Sequence, residues 1–271
     1  MSNVTEHYGS NGIVERILAA IPEAAPGALA ARHLYPFDQL HGRELIATQE
    51  HAARLAPTPD NRILDIGSGI GGPARFLAAT YGCQVEGIDL TPAFVEASSQ
   101  LTALCGLHGK VHFRHANAAD IPFADNSFDA AICFYVGMNI EAKAPVIKQA
   151  LRVLKPMGKL IWTEAVLASG EPYYPLPWAV SPATSHLVER QTLKELFETT
   201  GFVVDEIIDE TSEHVELAVK RANAGIVPSP AQLQANEIVL GAEFVQRRKN
   251  YIRSLSEGRL ASVAVIASKA G

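Results

Sequence analysis

The sequence predicts an α/β protein with a doubly wound, mostly parallel sheet of seven strands. Three observations predict this class. Strand and helix patterns alternate repeatedly from residue 62 onward, and a glycine-rich turn joins the first strand to the next helix. The 271 residues are 48% hydrophobic and 19% charged, a balance typical of a chain that folds around a sizeable core.

The elements follow from periodicity, taken in order along the chain. Apolar residues in 12–21 fall on one helical face, a polar and aromatic segment follows, and 40–55 is helical again. Residues 1–60 are therefore expected to form an N-terminal helical lid, and residues 61–271 the main domain. The predicted strands are 62–66, 84–90, 111–115, 129–134, 159–164, 203–208 and 260–267. The predicted helices between them are 73–81, 92–105, 142–154, 189–200, 213–224 and 230–257. The last two would form a helical cap at about 213–257, inserted before the final strand.

Composition and charge exclude several classes of function. The formal net charge is −6 and the acids and bases are mixed along the chain, which argues against a nucleic-acid or anionic-membrane partner. No uncharged run approaches the roughly 20 residues that cross a bilayer, so we expect a cytoplasmic protein. The nine histidines and three cysteines never fall at metal-ligand spacing, and no metal site is expected.

The most informative segment runs from Leu64 to Pro73, where a strand enters a glycine loop and a helix begins directly after it. Gly67, Ser68 and Gly69 leave main chain accessible to a ligand. We expect N–H groups of this loop to face a carboxylate or phosphate at the start of the helix. The loop also satisfies the general dinucleotide pattern GxGxxG, so it is a weak signal by itself.

Two further positions make the signal more specific. Asp89 ends the second strand about twenty residues after the loop, with Leu90 beside it, and its carboxylate could accept both ribose hydroxyls of an adenosine. Asn117 and Ala118 follow the third strand, where an amide oxygen and a main-chain N–H could meet adenine. Asn117 can equally be a simple turn former.

In this order the motifs resemble those of class I S-adenosylmethionine-dependent methyltransferases. The resemblance extends over most of the chain from Ile63 and is closest to the small-molecule branch that includes sarcosine and dimethylglycine N-methyltransferases. Its further elements are Ile121-Pro122-Phe123, Ser127-Phe128-Asp129 and Leu151-Arg152-Val153-Leu154-Lys155-Pro156. Two positions depart from the family pattern: Met157 stands for a glycine, and Asn117 for a frequent aspartate.

The resemblance implies a fold, a cofactor and a set of site residues. The fold would be the Rossmann-like methyltransferase fold, and the cofactor S-adenosyl-L-methionine. The main chain of Phe134 would face the cofactor, and Tyr8 would be a lid tyrosine near its methionine end. Candidate catalytic residues are Tyr135, His41 and Glu164. Candidate substrate contacts are Tyr35 and three aromatic residues of the 168–185 loop: Tyr173, Tyr174 and Trp178.

The expected reaction is methyl transfer to a small-molecule acceptor, an amine by preference, with oxygen or carbon possible. The expected state is a monomer or a homodimer. Two other readings stay open on the residues alone. One is an NAD(P)-dependent oxidoreductase, against which Asp65 argues because the first strand of a dehydrogenase is normally apolar up to its glycines. The other is a protein of the methyltransferase fold that binds the cofactor but catalyses a different reaction.

Overall fold

Seven strands form one sheet at the centre of the chain. They are β1 (Arg62–Ile66), β2 (Gln84–Asp89), β3 (Val111–His115), β4 (Phe128–Phe134), β5 (Leu154–Leu167), β6 (Phe202–Asp209) and β7 (Leu260–Lys269). This computed structural model describes residues 12–21, 29–227, 233, 236–237, 239, 241 and 243–271.

The strand order is β3-β2-β1-β4-β5-β7-β6. β1 pairs in parallel with β2 and β4, β2 with β3, and β4 with β5, whereas β7 is antiparallel to both β5 and β6. The prediction of a mostly parallel seven-stranded sheet is therefore confirmed. Because β1 lies at the point where the strand order reverses, the carboxyl ends of β1, β2 and β4 open onto the crevice where such sheets bind ligands.

Helices flank this sheet and precede it. They are α1 (Ile13–Ala20), α2 (Ala31–Asp38), α3 (Glu44–Leu55), α4 (Gly72–Tyr81), α5 (Pro92–Leu104), α6 (Lys143–Val153), α7 (Arg190–Thr200), α8 (Thr211–Asn223) and α9 (Phe244–Ser256). Short 3-10 turns lie at Gly137–Asn139 and Pro182–Thr184. Among the described residues, no helix is long and apolar enough to cross a membrane.

The central strands are buried on both faces, as a parallel sheet covered by helices requires. Ile63, Leu64 and Ile66 of β1 are fully buried. Trp162 of β5 packs edge-to-face against Phe197 of α7, with ring centroids 5.8 Å apart. Both residues belong to the hydrophobic core that includes Leu64 and Ile66 of β1.

Three elements differ from the sequence prediction. The segment expected to be a polar connection contains α2, because Ala31, Leu34 and Phe37 share one buried face despite Pro36 within the helix. β5 extends to Leu167, beyond the predicted end at 164, because it pairs with β7 as far as Leu260. Tertiary contacts thus override the local pattern in α2 and β5.

The third difference is the helix expected over 230–257, which is not continuous. Gly241 and Glu243 have positive φ values, a left-handed conformation that interrupts a helix, and α9 begins only at Phe244.

Candidate active site

A cavity of about 470 Å³ opens at the carboxyl ends of β1, β2 and β4. Its walls come from the glycine loop, the ends of three strands, the turn after β4 and the chain before α3. The lining residues used below are Asp38, Leu40, His41, Asp65, Gly67, Ser68, Gly69, Asp89, Leu90, Asn117, Ala118, Phe134, Tyr135, Val136, Asn139, Ile140, Glu141 and Ala142. The cavity therefore brings together most of the residues that the sequence singled out.

The glycine loop is shaped by close main-chain contacts. Gly67 has φ +72°, and a Cβ there would lie 2.3 Å from Val136 Cγ2, so only glycine fits. The N–H groups of Gly67 and Ser68 both donate to the Ile88 carbonyl, at 2.8 and 3.0 Å. That of Gly69 donates to Asp89 Oδ2 at 2.8 Å.

This pattern corrects the expectation that these N–H groups face an anion. The three donors are used within the protein, because the loop folds back on the end of β2. What the loop offers a ligand is bare main-chain surface, with the carboxylate of Asp89 held beside it.

Asp89 is fixed from two sides. Besides Gly69, the Thr91 N–H donates to its Oδ1 at 2.9 Å. Burial raises the pKa of Asp89, while the hydrogen bonds from Thr91 and Gly69 oppose that rise. The carboxylate lines the cavity, and a carboxylate oxygen can accept more than one hydrogen bond.

Asp65 was not among the predicted site residues, yet it lies in the cavity wall at the end of β1. It is 2% exposed, and its Oδ2 and the nearby Ser68 Oγ are buried with no hydrogen-bond partner within the described part of the chain. Burial, together with the charge of Asp89, raises the pKa of Asp65 to about 8. Unpaired buried polar atoms in a cavity wall are costly unless a ligand meets them. The sequence signal was an acid at the end of an otherwise apolar strand.

The residues expected around adenine also line the cavity. Asn117 Oδ1 accepts the Ala119 N–H at 2.9 Å, which forms a turn. Its turn-forming role is therefore present in the structure, and one lone pair of the amide oxygen remains available. Ala118, Leu90 and Phe134 lie on the same walls.

Tyr135 follows β4 directly and lies at the other end of the cavity wall. Its φ of +57° is a left-handed conformation that a bulky side chain rarely adopts, and such strain is typical of functional sites. Its Oη lies 2.7 Å from His214 Nε2 and 2.6 Å from Ser262 Oγ. His214 comes from α8, so this helix contributes a group that the sequence did not single out.

His41 packs beside this tyrosine. Its ring is stacked with Tyr135 at 6.2 Å and lies edge-on to Phe134 at 5.3 Å. Nε2 lies 2.8 Å from Thr48 Oγ1. Burial lowers the pKa of His41 to about 4 and that of His214 to about 3, so both rings are neutral at physiological pH.

Glu164 lies outside the cavity. It is fully buried, and its carboxylate packs against Gly137, where a Cβ would lie 1.9 Å from Glu164 Oε2. Burial raises the pKa of Glu164 to about 7, and the charge of Lys143 opposes this rise. The side chain contacts the 137–139 turn and does not line the cavity, and its two carboxylate oxygens have no hydrogen-bond partner within the described part of the chain.

The four predicted substrate aromatics are also outside the cavity. Tyr35 packs edge-on against Phe76, with centroids 5.7 Å apart. Tyr173 donates to Glu257 and stacks with Arg253, whereas Trp178 donates to Ser185 and packs on Tyr251. Tyr174 belongs to the same hydrophobic cluster as Trp178. The three loop aromatics therefore pack mainly against α9. Tyr8 lies outside the described residues.

No group of three or more His, Cys, Asp or Glu side chains suited to a metal ion occurs among the residues that the structure describes. The polar side chains of the cavity lining are instead four carboxylates, two hydroxyls, two amides and a histidine–tyrosine pair: Asp38, Asp65, Asp89, Glu141, Ser68, Thr91, Asn117, Asn139, His41 and Tyr135. This set suits an organic ligand with hydroxyl and cationic groups.

Comparisons with known proteins agree with this reading. A family model described as "Methyltransferase domain" matches residues 64–162. The O-methyltransferase rstn1 of Aspergillus nomiae is 31% identical over 169 residues, which cover 60% of this chain and 73% of that protein. The chain belongs to the class I S-adenosylmethionine-dependent methyltransferases.

Two further proteins show how varied these similar proteins are. The glycine/sarcosine/dimethylglycine N-methyltransferase of Actinopolyspora halophila is 33% identical over 116 residues, 43% of this chain and 20% of that protein. A geranyl diphosphate C-methyltransferase from Streptomyces coelicolor, solved with Mg²⁺, geranyl diphosphate and S-adenosyl-L-homocysteine, has the same fold. Its TM-score is 0.68 at 20% identity, over 97% of this chain and 90% of that one. The chain spans less than two thirds of several curated relatives that it matches.

Proposed function

We propose that this chain binds S-adenosylmethionine in the cavity and transfers its methyl group to a small-molecule acceptor, releasing S-adenosylhomocysteine. One observation carries the proposal. The buried, unpaired Asp65 Oδ2 and Ser68 Oγ line the same cavity as Asp89, whose carboxylate is held at the glycine loop. This arrangement fits a ligand that carries a cationic amino acid at one end and a ribose at the other.

Each part of that ligand has a residue suited to it. Asp89 would accept the ribose hydroxyls, and Asn117 with Ala118 would meet the adenine. Asp65 would meet the ammonium group, because a cation restores the interactions that its buried carboxylate lacks. The main chain at Gly67 leaves room for close approach.

When bound, S-adenosylmethionine supplies an electrophilic methyl: the acceptor atom bonds to its carbon, the carbon–sulfur bond breaks with both electrons on sulfur, and one proton leaves to solvent. The protein's contribution is alignment and exclusion of water. His41, Phe134 and Tyr135 form an aromatic wall beside the transfer region. Tyr135, whose hydroxyl is held by His214 and Ser262, is the group best placed to orient the acceptor.

The kind of acceptor atom is a finer question. Both N-methyltransferases and O-methyltransferases are among the relatives that match the chain. Their names therefore do not favour an amine acceptor over an oxygen acceptor. The lid over 1–60, the cap at about 213–257, a role for Tyr8, a cytoplasmic location and a monomeric or homodimeric state also remain part of this proposal.

Isothermal titration calorimetry with S-adenosylmethionine and S-adenosylhomocysteine tests the cofactor site. Asp89→Ala should weaken binding by about 2–3 kcal/mol, as expected for the loss of charge-assisted hydrogen bonds. Asp60→Ala, which removes an exposed acid away from the cavity, is the matched control and should bind as wild type does. Equal affinity of the Asp89 variant would remove the ribose assignment, and tight binding of NADH instead would favour the oxidoreductase.

A further inference from the structure

At the end of β4, the cavity has no lysine or arginine among the described residues. The walls there are mostly apolar or aromatic, from Leu40, Phe134, Tyr135, Val136 and Ile140. The turn after β4 adds the amide of Asn139 and the carboxylate of Glu141. This end therefore offers neutral groups and a carboxylate, and no counter-charge for an anion.

Three buried cations lie close in sequence to lining residues, and each is already bound by the protein. Arg75 donates to the Asp38 carboxylate at 2.9 Å, to the Ile70 carbonyl at 2.6 Å and to Thr102 Oγ1 at 3.1 Å. It is 0% exposed. Neither its charge nor its donors are left for a ligand.

The other two cations follow the same pattern. Arg43 forms ion pairs of 2.7 Å with Glu50 and 2.6 Å with Glu210. Lys143 Nζ donates to the carbonyls of Gly137 at 2.7 Å, Ile140 at 3.1 Å and His186 at 2.5 Å. Releasing either cation to an anionic ligand would leave the buried Glu210 carboxylate or the three carbonyls without their partner, at a high cost.

The cavity lining itself includes no lysine or arginine among the described residues. The segments 1–11, 22–28 and 228–242 could not supply such a side chain either, because their sequence contains no lysine or arginine. A phosphate or carboxylate that entered the β4 end would lose its hydration without meeting a counter-charge.

The Tyr135 hydroxyl does not add a counter-charge. His214 Nε2 and Ser262 Oγ lie 2.7 and 2.6 Å from it, and Tyr251 also interacts with it. An acceptor without an anionic group matches the apolar and aromatic walls beside this tyrosine.

We propose that the methyl acceptor carries no phosphate or carboxylate near the methylated atom, and that its body packs on the apolar and aromatic walls at the end of β4. This proposal rests on the proposed function. It separates this chain from similar proteins whose names or ligands include glycine or geranyl diphosphate.

The test uses the full chain saturated with S-adenosylhomocysteine and pairs of probes that differ in one anionic group. Saturation-transfer NMR and calorimetry compare 4-ethylphenol with 4-hydroxyphenylacetate and with 4-hydroxyphenyl phosphate, and pyrophosphate is titrated alone. The neutral member should bind at least about tenfold more tightly than each anionic partner, because only the anions lose hydration without compensation. Pyrophosphate should not bind at the cavity.

Equal or tighter binding of the anionic members, competition by pyrophosphate, or no detectable binding of the neutral member would each overturn the inference. A charge-introducing variant sharpens the test. Ile140→Arg should narrow the preference for the neutral probe, whereas Ile140→Met, of similar length and uncharged, should keep it. Failure here is distinct from failure of the proposed function, because S-adenosylhomocysteine binding is measured first on the same sample.

Discussion

At the residue scale, the buried Asp65 should lower the stability of the unliganded protein at high pH and strengthen the binding of a cationic ligand. Its pKa of about 8 lies well above the ordinary range, so the folded state favours the protonated form. The stability linked to this group is fully present below the ordinary pKa of an aspartate and is lost as the pH rises through about 8. At high pH the unliganded protein must bury an unpaired carboxylate.

Asp65→Asn should therefore stabilise the unliganded protein at pH 9 and have much less effect at pH 4. We expect a gain on the order of 1–3 kcal/mol in the free energy of unfolding at pH 9. Urea unfolding at both pH values measures it. The same difference between variant and wild type at the two pH values would show that Asp65 does not titrate as described.

The same variant should bind S-adenosylmethionine less tightly, because an amide cannot neutralise a ligand ammonium. Wild-type binding at pH 7 should also release a proton, since the cation favours the ionised form of Asp65. Calorimetry in buffers of different ionisation enthalpy detects that proton. We expect it to be absent in Asp65→Asn, and its persistence there would assign it to another group.

A variant of Tyr135 tests the role of its hydroxyl at the end of β4. Tyr135→Phe keeps the aromatic wall and removes the hydroxyl, so the kcat for an acceptor should fall on the order of tenfold, the value of one hydrogen bond. Affinity for S-adenosylhomocysteine should change little. Tyr81→Phe is the control, because Tyr81 packs on Phe76 outside the cavity. A loss of cofactor affinity as large as the loss of kcat would mean that the hydroxyl acts on the fold instead.

At the element scale, the sequence predicted what depends on local pattern and missed what depends on packing partners. Gly67, Asp89 and Asn117 were found because each stands at a strand end with a fixed spacing. His214 was missed, because nothing in the pattern of α8 shows that its Nε2 reaches Tyr135 across 79 positions of sequence. Trp178 was given a substrate role because it lies in a loop, but the ring packs on Tyr251 of α9.

An ion-pair cluster joins α3 to α8 and α9. Glu44, at the start of α3, accepts from Arg221 of α8 at 2.8 Å and from Arg248 of α9 at 2.7 Å. Burial alone would raise the pKa of Glu44, but the hydrogen bond from Arg221 and the charge of Arg248 outweigh it and lower the pKa to about 2. This contribution to stability is present above the ordinary glutamate pKa and is lost as the pH falls toward 2.

Glu44→Gln should loosen this junction more than it lowers global stability. The three side chains are each about a third exposed or more, so the expected loss in unfolding free energy is only about 1 kcal/mol at pH 7. Hydrogen exchange should speed up in α8 and α9 before it does in the sheet. Glu216→Gln, an exposed acid on α8, is the control. Unchanged exchange in both helices would show that the cluster does not hold them.

At the scale of the whole molecule, the chain before β1 is part of the wall of the site. Asp38 of α2 lines the cavity, and its carbonyl lies so close to Gly72 that a Cβ there would be 2.0 Å away. Its carboxylate pairs with Arg75 of α4, which also holds the Ile70 carbonyl of the glycine loop. The position of α2 and the shape of the glycine loop are thus coupled through one buried ion pair.

A double-mutant cycle measures that coupling. Asp38→Ala leaves the fully buried Arg75 guanidinium without its carboxylate, and Arg75→Met leaves a buried carboxylate, so each single variant should lose about 3–5 kcal/mol in unfolding free energy. The double variant should lose clearly less than the sum of the two, because neither charge is then left unpaired. Additive losses in urea unfolding would show that the pair is not coupled. Binding of S-adenosylhomocysteine separates the two roles of Arg75: Arg75→Met and the double variant should both bind it more weakly, since both lack the donor that fixes the Ile70 carbonyl.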